Sequence, residues 1–191
     1  MFALLTNDDG IYAPGLAALE DAVNNDFRTL VVAPSTEQSG VGHGITFLSP
    51  LTTKEVFRGE KRRGWAVDGS PADAVKLGVS EICPQRPDII ISGINAGLNA
   101  GINVLYSGTV AAAIEGSFFG ITSIAVSLEW DDHMNFERAA QLASVLIKQL
   151  ISLCPPAGSL FNINIPMSAL VKTPEVRVVP MSVTCLLYTS D

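Results

Sequence analysis

What most limits the folds open to this chain is the grouping of its apolar residues. FALL at 2–5, TLVVA at 29–33, DIIIS at 88–92 and SIAVSL at 123–128 are short runs without the polar–apolar alternation of a half-exposed strand. A strand apolar on both faces must be covered on both, as in a parallel sheet flanked by helices. Helical spacing fills the intervals. APGLAALEDAV (13–23) puts Pro14 near a helix start and Leu16, Leu19, Ala22 and Val23 along one face. GSPADAVKLGVSEI (69–82) offers Ser70 as N-cap, Pro71 at the first helical position and Asp73 at the third. TVAAAIEGSFFG (109–120) and NFERAAQLASVLIKQLISL (135–153) supply two more helices, and LFNINIP (160–166) closes the series. This order predicts an α/β fold, a Rossmann-like three-layer sandwich with a mainly parallel sheet. Residues 45–67 differ in texture. The pieces ITFLSPLTT, EVFRG and GWAVD and the basic turn GEKRRG predict an inserted antiparallel β-hairpin.

At 191 residues the chain fits one domain, and 48% hydrophobic against 16% charged content describes a packed core. Twelve basic residues against 19 acidic give a net charge of −7. That sign argues against a nucleic-acid polymer or an anionic membrane as partner. Cys83, Cys154 and Cys185 form no CxxC pair, so a reducing compartment is expected. With no signal-like start and no bilayer-length apolar stretch, the expected location is cytoplasmic.

In doubly wound sheets the carboxyl ends of the strands form the ligand crevice. Three polar, glycine-containing segments fall at such ends: TNDDG (6–10), PSTEQSG (34–40) and SGINAG (92–97). Asp8 and Asp9 would point to opposite sides of an extended strand, so they converge on one ion only if the chain turns, which Gly10 permits. Alone, Asp-Asp-Gly reads as a surface turn. Ser39, with Gly40, and Asn95 add short oxygen donors from neighbouring loops, and an all-oxygen set favours magnesium or manganese over zinc. His43 is a candidate substrate or proton-transfer contact, or an ordinary hydrogen-bonded loop histidine; His133 reads as a solvated loop residue. In YSGTVAAAIEG, Ser107, Gly108 and Thr109 precede an alanine-rich helix. They form either a plain helix cap or, beside a bound cation, a phosphate cradle. A divalent ion and a helix terminus together would let an acidic protein hold a phosphate ester.

LLTNDDGIYAPG, VVAPSTEQSGVGHGIT, GSPADAV and PDIIISGINAGLNAGINVLYSGTVAAAIEG closely resemble the SurE family, stationary-phase survival proteins. The likeness runs from the N-terminus through FNINIP. It implies a metal-dependent phosphomonoesterase acting on nucleoside 5′- and 3′-monophosphates, with short polyphosphate as a further substrate. By motif it assigns Asp8, Asp9, Ser39 and Asn95 as ligands of one divalent ion per subunit, with Asp8, Asp9 and Asn95 catalytic. It assigns Asn7, Ser107, Gly108 and Thr109 to the phosphate, and the full-length protein is expected to be a homo-oligomer. Departures are small: Ser70 stands where threonine is usual, Ala74 where cysteine is common, and Asn103 where many relatives have aspartate.

Other classes stay open on residues alone. An aspartyl-nucleophile sugar phosphatase would also place an aspartate after the first strand, and SGVGHG invites a non-catalytic nucleotide-binding reading. Its spacing is GxGxG rather than GxGxxG, however, and it follows the second strand. The family-like domain is expected to span 1–184. The final CLLYTSD (185–191) does not resemble the family and matches what a sequencing-library adapter encodes, so no functional argument is placed on it.

Overall fold

A computed structural model describes residues 1–172 and 174–182; the expected non-family tail at 185–191 lies outside the described residues. Seven strands form one sheet: β1 (Phe2–Thr6), β2 (Arg28–Pro34), β3 (Thr53–Arg58), β4 (Lys61–Val67), β5 (Ile89–Ala96), β6 (Thr122–Leu128) and β7 (Leu160–Ile165). Their spatial order is β3-β4-β2-β1-β5-β6-β7, and every pairing is parallel except β3 with β4. Without the antiparallel edge strand this is the doubly wound order in which sequence direction reverses between the first strand and its neighbour. Here the reversal falls between β1 and β5.

Helices α1 (Pro14–Val23), α2 (Pro71–Leu77), α3 (Gly108–Phe118) and α4 (Phe136–Ser152) cover the sheet, followed by a short α5 (Ser168–Val171). α1 packs against α4 and α2 against α3. One core layer joins Leu5, Val31, Ile91, Ile124 and Val126 to Leu16, Leu19, Ala143 and Ile147; the opposite layer joins Leu4, Val32 and Ile90 to Ala74, Val75 and Ala112. Adjacent residues of β1 therefore feed opposite layers, which is why the run had to be apolar throughout. All five of its residues are buried.

The expected hairpin forms, with a correction to its place in the fold. β3 and β4 pair around Gly59–Glu60, but β4 also runs parallel to β2 and belongs to the main sheet. Arg63 of β4 anchors it inward, donating from Nε to Glu20 Oε2 of α1 at 2.6 Å and from Nη1 to the Ile11 carbonyl at 2.5 Å. Ile45 to Thr52, expected to be β-rich, is irregular. The amide of Thr46 is spent on the Asp73 carboxylate rather than on a strand partner.

Two features shape the crevice end. Between Ser92 and Asn95, β5 carries one residue more than β6 opposite, since Ser92 pairs Ala125 and Asn95 pairs Ser127. Such a bulge bends a strand and re-aims its last side chains. Gly93 makes it possible at φ +141°, where an added Cβ would lie 2.3 Å from the Val126 carbonyl oxygen. Beyond β5, Asn99 clamps the glycine-rich loop to the sheet. It donates to Ser127 Oγ at 2.9 Å and accepts, on its carbonyl, from the side chains of Asn162 (2.8 Å) and Asn164 (3.0 Å).

Candidate active site

β1 ends at the reversal point of the sheet, and the chain turns immediately after it. Asn7 Nδ2 donates to the Gly10 carbonyl at 2.9 Å and stabilises the turn that carries Asp8 and Asp9. Among the described residues Asn7 Oδ1 is buried with no hydrogen-bond partner, an acceptor that a donor or a cation would satisfy. The second loop closes on this turn, with the amide of Gln38 donating to the Asp8 carbonyl at 2.7 Å.

α3 approaches from the other side. Ser107 Oγ caps it by accepting from the Val110 amide at 3.1 Å, as the plain capping reading expected. The next residue must be glycine on steric grounds. A Cβ on Gly108 would sit 2.7 Å from Asp8 Cβ and 3.0 Å from Pro71 Cγ. Thr109 Oγ1 then donates directly to Asp8 Oδ1. The helix start and the first acid are thus in contact across 101 residues of sequence.

The charges are poorly compensated. Burial pushes the Asp8 carboxyl up, the Thr109 hydroxyl and backbone amides offset part of this, and Glu37 adds repulsion. Asp9 is pushed up to about 7 by burial, then by Asp8 and by Glu37. Three acids in one corner, with no basic side chain among the described residues bonded to them, call for an external positive charge. Ser39 Oγ donates to Glu37 Oε1 at 2.6 Å, so it borders the same corner. Asn95, past the β5 bulge, commits Nδ2 to the Gly97 carbonyl at 2.7 Å, leaving its amide oxygen as the end suited to a ligand. Among the described residues no three His, Cys, Asp or Glu side chains form a metal-binding group, so any ion here would rely on neutral oxygens as well.

Other candidates lie apart from the acids. His43 Nε2 bonds Glu115 Oε2 at 2.8 Å and its ring packs against Phe118, with centroids 5.5 Å apart. It anchors its loop to α3. Gly40 is exposed, turns at φ +73° and has open space around it. Glu37 and Glu115 are the residues that sequence reasoning missed. Only the fold sets Glu37 near the acid pair and Glu115 against His43.

A cleft of about 610 Å³ opens beside the acid corner, without including Asp8, Asp9 or Asn95. Ser35, Thr36, Gln38, Thr46, Asp68 and Ser70 contribute to its walls. Asp68 is oriented there by Ser35 Oγ at 2.6 Å and Thr52 Oγ1 at 2.5 Å, and these hydroxyls hold its carboxyl below the usual range.

A doubly wound sheet whose reversal point carries a turned acid pair, abutted by a helix start, defines an α/β protein with a strand-end crevice for a small polar ligand. Comparison with known proteins makes this specific. The family model described as "Survival protein SurE" matches residues 3–188. A Rhodopirellula baltica protein named "5'-nucleotidase SurE" is 54% identical over 182 residues, covering 95% of this chain and 72% of the relative. The protein of the same name from Desulfatibacillum aliphaticivorans is 43% identical, covering 93% and 70%. Among solved structures, the SurE protein of Aquifex aeolicus superposes with a TM-score of 0.80 at 40% identity, over 87% of this chain and 66% of that one. The chain belongs to the SurE family.

Proposed function

We propose that this chain is a 5′-nucleotidase, a phosphoric monoester hydrolase that removes phosphate from nucleoside monophosphates, with 3′-monophosphates and short polyphosphate as further substrates. The observation that carries the reading is the contact between the acid pair and the start of α3, where Thr109 bonds Asp8 and Gly108 leaves no room for a side chain. Relatives named 5′-nucleotidase at 43–54% identity support the substrate class.

The donor set fits one divalent cation, magnesium or manganese, held by Asp8, Asp9, Ser39 and Asn95. Hard oxygens line the corner, and an acid pushed up to about 7 marks charge awaiting a counter-ion. When bound, such an ion supplies Lewis-acid charge to the phosphoryl group. The protein's own part is orientation and charge stabilisation. The Val110 amide of α3 is spent on Ser107 and the Thr109 amide on Asp8, so it is the positive end of the helix dipole that favours charge developing on the phosphoryl oxygens. Thr109 fixes the Asp8 rotamer, Asn7 fixes the turn, and the attacking group is water rather than an aspartate.

The test is a screen of nucleoside monophosphates with EDTA, magnesium or manganese, beside calorimetric titration of manganese. Cation-dependent release of phosphate is expected. Asp8→Asn and Asp9→Asn should each lower kcat/KM at least about a thousandfold and weaken manganese binding, with an unchanged far-UV spectrum. Full turnover in EDTA, or active variants, would reject the reading.

A further inference from the structure

We infer that the polar cleft beside the acid corner is the leaving-group pocket, and that Asp68 recognises two adjacent hydrogen-bond donors on the departing nucleoside. The inference rests on the nucleotidase reading and adds to it a residue that sets specificity.

Continuity is the first argument. The cleft and the acid corner share a wall, because Gln38 lines the cleft while its amide bonds the Asp8 carbonyl. On the far side, Ser70 lines the cleft and the next residue, Pro71, lies against the Gly108 position. A phosphate ester seated at Asp8 and Thr109 therefore has this cavity next to it. Its volume of about 610 Å³ lies in the ordinary range for small-molecule sites, ~300–1,000 Å³.

The chemistry of the walls is the second argument. No lysine or arginine is among the described residues that line the cleft, so none of them welcomes a second phosphate. The one charged side chain among these described residues is Asp68, exposed and held ionised by Ser35 and Thr52. Each carboxylate oxygen has two lone-pair directions, and one on each is taken. What remains is one acceptor direction on each oxygen, a set that can take two donors side by side. A nucleoside carries that chemistry in two places: the 2′,3′-diol of ribose and the N1–H/N2–H edge of guanine.

The experiment measures kcat/KM for AMP, GMP, 2′-deoxy-AMP and 2′-deoxy-GMP with the wild-type chain and Asp68→Asn, an isostere that loses one acceptor. Wild type should favour ribose over deoxyribose, or guanine over adenine, by at least about tenfold. Asp68→Asn should shrink that ratio to within about twofold. Collapse of the ribose ratio identifies the diol and collapse of the guanine ratio identifies the base edge; either supports the inference. Wild-type turnover of all four within twofold overturns it without needing a folded variant, as does a preference that Asp68→Asn leaves intact. Turnover of none of the four removes the nucleotidase reading and the inference with it, so the two failures are told apart.

Discussion

The acid corner and the cleft beside it are neighbours in space and opposites in construction. At the corner, backbone and side chains touch at the limit of van der Waals distance. Asp8 is 5% exposed, and Gly108 has no space for a methyl group. Along the cleft rim, Phe47 and Leu48 are 85% and 94% exposed, and Ile45 to Thr52 form no ladder. The corner is built to hold one geometry, and the cleft is built from loops that can differ without disturbing the sheet. An enzyme that performs one reaction on related substrates is served by such a division, with rigidity at the reacting end and latitude at the other.

The comparison is broken most directly at Gly108. Gly108→Val would drive a branched side chain into Asp8 and Pro71, and kcat/KM for AMP is expected to fall at least about a hundredfold. Thermal unfolding should show only the ~1–3 kcal/mol of an overpacked site. Loss of activity no greater than loss of stability would mean that the corner is not held as tightly as its contacts indicate.

Asp73 sits where the two regions meet, and it gives a smaller effect with a pH signature. Burial alone would raise its carboxyl, but bonds from Thr46 and Ser70 outweigh this and leave it below 3.8. A depressed folded value adds stability above 3.8, and that stability is lost as pH falls through the folded value. Asp73→Asn should cost ~1–2 kcal/mol at neutral pH in urea unfolding. The difference from wild type should fade below about pH 4. A difference that stays constant with pH would mean that the charge contributes nothing and shape alone matters.

The rim supplies the smallest effect. Replacing both Phe47 and Leu48 by serine should change stability by no more than ~0.5 kcal/mol, because neither side chain is buried. A larger loss in a melting experiment would show that the rim packs against something and is not the loose partner in the comparison.

How much of this was legible in the sequence follows the same division. β1, β2, β5 and β6 announce themselves because burial on both faces demands unbroken apolar runs, and the cap of α2 was readable from Ser70, Pro71 and Asp73. β4 was harder. GWAVD after a basic turn looks like one arm of a hairpin, and nothing local reveals that its other edge lies against β2. The bond from Thr109 to Asp8 joins residues 101 apart, so sequence could place one at a strand end and the other at a helix start without pairing them. Glu37 was hidden by its polar loop, since nothing local shows that this exposed carboxylate lies close enough to Asp8 and Asp9 to repel them. The clamp on Asn99 left a trace in FNINIP, where Asn162 and Asn164 share one face of β7, but its target lies in another loop.

Arg63 gives the edge of the sheet a hold on its centre. By gripping the Ile11 carbonyl just past the acid turn, and Glu20 on the helix behind it, a residue of the third parallel strand braces the chemistry from a distance. Grafting the β3–β4 ribbon elsewhere, or trimming it as an accessory, would release the loop that follows Asp8 and Asp9. A search for damaging changes confined to the crevice would overlook this strut.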